Sequence, residues 1–200
     1  MSDKGYANPQ LLMTPEALHA RLVDASFCIV DTRPTYEYAA GHIPEALHLD
    51  LYGISLNNTG QEVFEAFMWM FGYLMGSRGI GSDRAIVFYE NDSGIRAARG
   101  FWICEYLGHG DVHVLDGGLN AWTEAGYPVT TACPVPERAE FRAEPVPERH
   151  IGAEEVRASL EQGNFVALDT RGDDEYYARV ARAARGGAIP GAVHIEYVNS

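Results

Sequence analysis

The sequence is poor in three things, and each absence narrows its function. It has three cysteines in 200 residues, Cys28, Cys104 and Cys133, too few and too scattered for a disulfide framework. It has 15 basic residues against 28 acidic ones, a net charge of −13. That balance argues against nucleic acid or an anionic membrane as a partner, because both need a basic surface. Its longest apolar stretch, FMWMFGYLM (Phe67 to Met75), is far too short to span a bilayer. The opening MSDKGYANPQ is polar and carries no apolar core of a signal peptide. A reducing, cytoplasmic setting is the expectation.

What the chain has is a 46% hydrophobic composition, enough for a substantial core, and an internal repeat. LHARLVDASFCIVDTR (Leu18 to Arg33) aligns without a gap on VRASLEQGNFVALDTR (Val156 to Arg171), 138 residues later. Ala20, Leu22, Phe27, Asp31, Thr32 and Arg33 recur as Ala158, Leu160, Phe165, Asp169, Thr170 and Arg171. GHIPEALHLD (Gly41 to Asp50) then matches GAIPGAVHIE (Gly187 to Glu196) at an offset of 146, the difference being an insertion around RVARAARG. Two blocks in the same order imply a duplicated domain.

Each copy reads as a helix, an apolar strand ending in Asp-Thr-Arg, a turn with Ile-Pro and a second strand. The first copy continues with a helix over Glu62–Met75, a strand over 84–89 and a helix through IRAARGFWICEYLG that Gly108 ends. A strand and glycine turn at 111–118 and a short helix closed by Gly126 follow. Short apolar strands alternating with helices predict an α/β fold, a parallel sheet covered on both faces. The expected organisation is a complete domain at 9–128, a Pro-rich linker at 129–150 with PVPER twice, and the front part of a second copy at 151–200. The second copy's counterparts of residues 55 to about 128 are not among these 200 residues.

The turn YENDSGIRAARG, Tyr89 to Gly100, runs from a buried strand into a helix, where open α/β proteins place their chemistry. Asn91, Asp92, Ser93, Gly94 and Arg96 make a candidate anion-binding loop. Asp31 with Arg33, and Asp169 with Arg171, each end a strand at the carboxyl edge of the sheet, the functional edge in open α/β folds. They suit either a functional edge or an ion pair that holds the fold.

These motifs resemble the tandem rhodanese family of sulfurtransferases. VDTRPTYEYAAGHIPEALHLDL is similar to that family's first signature and VHVLDGGLNAW to its second. The resemblance implies a rhodanese-like parallel sheet flanked by helices. It also implies transfer of sulfane sulfur from a small anionic donor such as thiosulfate to a thiol or cyanide acceptor, through a cysteine persulfide. In that family the nucleophilic cysteine heads a short loop after a strand, where convergent amides and a helix N-terminus favour a thiolate. Here that position falls on Glu90 or Asn91, and neither can carry sulfur. The loop therefore resembles the family's non-catalytic half, and the 200 residues are expected to be inactive alone. A non-catalytic module that holds an anion or a partner peptide is the alternative.

Other candidates rank lower. Cys28 precedes Arg33, and Cys133 precedes Arg138, at a Cys-x4-Arg spacing. Cys28 lies in an apolar strand, Cys104 in a helix, and Cys133 before two prolines that remove the amides a thiolate needs. A phosphatase built on a related loop needs a His-Cys pair, and no cysteine here follows a histidine. His109 and His113 span a turn rather than one helical face, so no metal is expected, nor any cofactor. His42 and His48 read as structural. The stripe Phe64, Phe67, Met68, Phe71, Met75 reads as core, with a docking face as the sharper alternative. Self-association through the incomplete second copy is a further expectation.

Overall fold

The computed structural model describes residues 5–56, 58, 60–163 and 165–199, so Ser200, the expected end of the second copy, lies outside the described residues. The chain divides into two compact units, Met1–His150 and Ile151–Ser200.

The first unit contains β1 (Leu12–Met13), α1 (Pro15–His19), β2 (Phe27–Asp31), α2 (Thr35–Ala40), β3 (Leu47–His48) and α3 (Gln61–Ser77). It continues with β4 (Ala85–Tyr89), α4 (Ile95–Tyr106), β5 (Val112–Leu115) and α5 (Gly118–Glu124). The strands form one parallel sheet in the order β1-β5-β4-β2-β3. β4 lies at its centre with all five residues buried, which explains why its sequence is a continuous apolar run. Successive side chains alternate between two cores. Cys28, Val30, Ile86 and Phe88 join Phe64, Met68, Phe71 and Met75 of α3 and Ile103 of α4 on one face. Ile29, Val87 and Tyr89 join Leu18 of α1 and Trp122 of α5 on the other. The fold is therefore the expected α/β parallel sheet flanked by helices, and the α3 stripe is core, with Phe67 at its margin.

The segment read as a linker is held against this unit along much of its length. Thr130 pairs with His42 in an antiparallel bridge. The Ala139 amide donates to Gly76 O at 2.9 Å, Glu144 to Leu107 O at 2.9 Å, and Val146 to Tyr106 O at 2.7 Å. His150 stacks on Phe64 at 3.9 Å between ring centroids. The prolines keep the strap extended. The close approach falls on glycines: a Cβ at Gly76 would lie 2.8 Å from Ala139 O, and one at Gly79 2.8 Å from Glu137 O.

The second unit holds α6 (Ala153–Gln162), β6 (Leu168–Asp169), α7 (Asp173–Tyr176) and β7 (Val193–His194). β6 and β7 pair in parallel, Leu168 opposite Val193. Its hydrogen bonds reproduce those of the first unit at the offsets read from sequence. Arg33 binds Asp31 at 2.6 Å and Gly41 O at 2.7 Å; Arg171 binds Asp169 at 2.6 Å and Gly187 O at 2.9 Å. Tyr38 donates to Ala46 O at 2.8 Å and Tyr176 to Ala192 O at 3.0 Å. His48 and His194 each sit 2.8 Å from the carbonyl of the respective arginine. Burial differs: Val30 is 0% exposed, whereas Leu168, 138 residues later, is 58% exposed.

Candidate functional site

The Tyr89–Gly100 turn leaves the carboxyl end of β4 beside the end of β2. The Tyr89 carbonyl accepts both the Thr32 amide, at 2.9 Å, and the Thr32 hydroxyl, at 2.8 Å. From behind, the start of α5 braces the loop: Leu119 N donates to Glu90 O at 2.8 Å and Asn120 N to Asn91 O at 2.9 Å. That contact explains the second glycine of LDGG. Gly118 has φ +56°, and a Cβ there would lie 2.5 Å from Glu90 O.

The loop curls over the N-terminus of α4, and Glu90 fills it. Its Oε1 accepts the Arg96 amide at 2.6 Å and the Ala97 amide at 3.0 Å. These are two of the amides a helix N-terminus leaves without internal partners, and the helix dipole favours negative charge there. A Cβ at Gly94 would lie 2.7 Å from that carboxylate. The loop's other polar groups are also engaged. Asn91 Nδ2 donates to Glu37 at 2.8 Å, and Asn91 Oδ1 accepts from Arg33 at 3.4 Å. Asp92 accepts from Asn120 at 2.9 Å, and the Ser93 hydroxyl accepts the Gly117 amide at 2.7 Å. Arg96 pairs with Asp50 at 2.7 Å and lies 4.4 Å over the Tyr52 ring. Arg99 donates to the carbonyls of Tyr52 and Ile54, and burial lowers its pKa.

Asp31 and Arg33 are buried beneath the loop, 0% and 4% exposed. Burial opposes the charge on Arg33, but its bonds to Asp31 outweigh that and raise its pKa. Asp169 and Arg171 repeat the pair in the second unit at a more exposed position, with the Arg171 side chain 44% exposed. Hydrogen bonding from Arg171 lowers the Asp169 pKa.

The cysteines lie elsewhere. Cys28 is buried in β2, and desolvation pushes its thiol up to about 11. Cys104 is buried in α4 and its pKa is raised, chiefly by desolvation. Cys133 is exposed on the strap, 3.7 Å from Thr131 O. Buried and raised, the first two are poor nucleophiles. His42 is buried, stacked on Tyr38 at 3.8 Å and bonded to the carbonyls of Tyr38 and Ala132. His109 and His113 contact the Asp111 carbonyl and carboxylate respectively, and no group of metal-ligating side chains occurs among the described residues. No described helix is long and apolar enough to cross a membrane.

Sequence reasoning singled out the loop but not Glu37, Asp50, Tyr52 or Asn120, the side chains that engage it. Asp50 lies 46 residues from Arg96 and Glu37 54 from Asn91. Only the parallel order of β3, β2 and β4 brings them together.

Comparison with known proteins agrees with this geometry. Residues 14–125 match the rhodanese-like domain family. The chain is 28% identical over 192 residues to a thiosulfate sulfurtransferase from Azotobacter vinelandii, covering 96% of this chain and 71% of that protein. It is 31% identical over 212 residues to a thiosulfate sulfurtransferase from Corynebacterium glutamicum, covering 96% and 67%. Its fold is similar to the crystal structure of a 3-mercaptopyruvate sulfotransferase from Escherichia coli, with a TM-score of 0.80 at 22% identity, covering 93% of this chain and 74% of that one. With the sheet order, the Asp-Thr-Arg strand end and the strand-to-helix loop in place, the chain belongs to the rhodanese-like domain family.

Proposed function

We propose that this chain serves sulfane sulfur transfer and that its first unit is the non-catalytic member of a rhodanese pair. In this reading residues 151–200 are the front part of a second copy. Support for that comes from the recurrence of the Arg33, Tyr38 and His48 bonds at Arg171, Tyr176 and His194.

The observation that carries the reading is the Glu90 carboxylate on the Arg96 and Ala97 amides. Sulfur transfer needs a thiolate at such a position. The thiolate attacks the outer sulfur of thiosulfate, the sulfur–sulfur bond breaks, and sulfite leaves with the bonding electron pair. Cyanide or a thiolate then attacks the terminal sulfur of the persulfide and releases the enzyme thiolate. A carboxylate can do neither step. It does supply the negative charge that the convergent amides favour, so in this reading the anion of the candidate loop is the protein's own Glu90 side chain, held by the Arg96 and Ala97 amides.

The test is incubation of the 200-residue chain with thiosulfate, followed by intact-mass spectrometry and a thiocyanate assay with cyanide. The expected result is no one-sulfur adduct and no thiocyanate above a no-protein control. A stable adduct at Cys28, Cys104 or Cys133, with turnover lost on mutating that residue, overturns the proposal.

A further inference from the structure

Between α3 and the strap of the first unit lies a groove of about 460 Å³ that shares no residue with the Tyr89–Gly100 loop. Its volume lies within the range of small-molecule sites, about 300–1,000 Å³. Gly72 and Gly76 line it from α3, and Phe141 and Ala143 from the strap, which packs closely over Gly76. Trp69 and Tyr73, one helical turn apart, form its rim. They are 70% and 53% exposed, and their rings are near-parallel, with centroids 5.8 Å apart and an interplanar angle of 16°. A tryptophan this exposed, at the mouth of a groove, is a stacking surface.

The charge at this rim is unbalanced. Arg142 holds the Glu140 carboxylate through two bonds, at 3.0 and 3.3 Å, so that pair is neutral. Arg138 has no carboxylate partner among the described residues; its guanidinium lies 5.4 Å over the Tyr73 ring. In a chain with a net charge of −13, Arg138 thus leaves one positive charge at this rim. Arginine offers a planar fork that matches a carboxylate.

We propose that this groove binds a small planar aromatic carboxylate, its ring on Trp69 and Tyr73 and its carboxylate on Arg138. An apolar ring suits the exposed Trp69 and Tyr73 rings at the rim, and a single negative charge meets Arg138. The site stands apart from the sulfur-transfer reading, and its test is separate.

That test is a backbone-amide NMR titration of the full chain with 2-naphthoate and with its neutral counterpart 2-naphthylmethanol. Saturable shifts at Gly72 and Phe141 are expected for the carboxylate, with binding of the alcohol about tenfold weaker. Arg138→Gln should bring 2-naphthoate down to the level of the alcohol, and Trp69→Ala should remove the response to both. Trp69 is solvent-facing, so unchanged dispersion of the β4 amides verifies that this variant folds. Absence of saturable shifts, equal affinity for acid and alcohol, or retention of binding in Trp69→Ala overturns the proposal.

Discussion

The carboxylate of Glu90 accepts the backbone amide of Arg96 at 2.6 Å, closing a ring between the head of the loop and the first turn of the helix that follows it. With the Ala97 amide at 3.0 Å, this is an N-terminal cap delivered from outside the helix. The side chain thus joins the head of the loop to the first turn of α4, from one of the two positions, Glu90 and Asn91, that the proposal gives to the family's nucleophile.

Removing the cap should be measurable. Glu90→Ala is expected to cost about 0.5–2 kcal/mol, the usual range for a lost N-terminal cap, read from urea denaturation. Glu90→Gln keeps an acceptor but removes the charge, so it should bind sulfate or thiosulfate more tightly than the parent chain in a calorimetric titration. Glu90→Cys should place a thiol against the same amides and titrate below the unperturbed value of about 8.5. An ordinary thiol together with no anion binding in Glu90→Gln would show that the amides do not form a working cradle.

Legibility in the sequence followed the range of the interactions. The Phe64–Met75 stripe, the buried run of β4 and the stop at Gly108, which has φ +81°, are set by neighbours a few residues apart, and sequence reasoning found them. The Asp31–Arg33 pair is visible in sequence because its partners are two residues apart, whereas its burial depends on the elements packed around it. Glu90 was visible only as an unreactive residue. That it reaches six and seven residues ahead to cap α4 depends on the curl of the loop. The strap was read from its prolines as a crossing, while the glycines that receive it, Gly76 and Gly79, lie more than 50 residues earlier and carry no local signal for it.

The buried thiols give a pH prediction. Cys28 is raised to about 11 in the folded chain, so its neutral form is favoured by folding. Its contribution is intact below the unfolded value of about 8.5 and is lost as pH rises towards 11, because the unfolded chain deprotonates first. The shift of about 2.5 units between those values corresponds to roughly 3 kcal/mol. Urea midpoints should therefore fall between pH 8.5 and 11 (about the window between those two values), and Cys28→Val should flatten that part of the decline. At neutral pH a thiol reagent should label Cys133 promptly and reach Cys28 and Cys104 only on unfolding.

The two Asp–Arg pairs have the same geometry and should have different worth. Asp31 is fully buried and holds Arg33 through four contacts, so Asp31→Ala leaves a buried guanidinium uncompensated, at about 3–5 kcal/mol. Asp169→Ala acts where the Arg171 side chain is 44% exposed, and solvent screening should hold its cost to about 1 kcal/mol or less. Denaturation of each single variant, followed by a probe in its own unit, checks the contrast. Equal losses would mean that exposure does not set the strength of this motif.

Gly76 tests whether the strap belongs to the stability of the first unit. Its position in α3 is helical, where alanine is ordinarily better than glycine by about 1 kcal/mol, so an isolated helix would gain from Gly76→Ala. Here the new Cβ would meet Ala139 O at 2.8 Å and Phe141 N at 3.5 Å, backbone atoms of the strap that cannot rotate away. The Ala139–Gly76 hydrogen bond of 2.9 Å holds them there. Gly76→Ala should therefore destabilise by about 1–3 kcal/mol, the range for overpacking, and should speed amide exchange at Ala139, Arg142 and Glu144. Gly110→Ala provides the control, since a Cβ there meets nothing within 4 Å and the strap amides should be unaffected. If Gly76→Ala instead stabilises the chain and leaves those amides protected, the strap yields at no cost, and residues 137–150 contribute nothing to the fold that α3 could not hold alone.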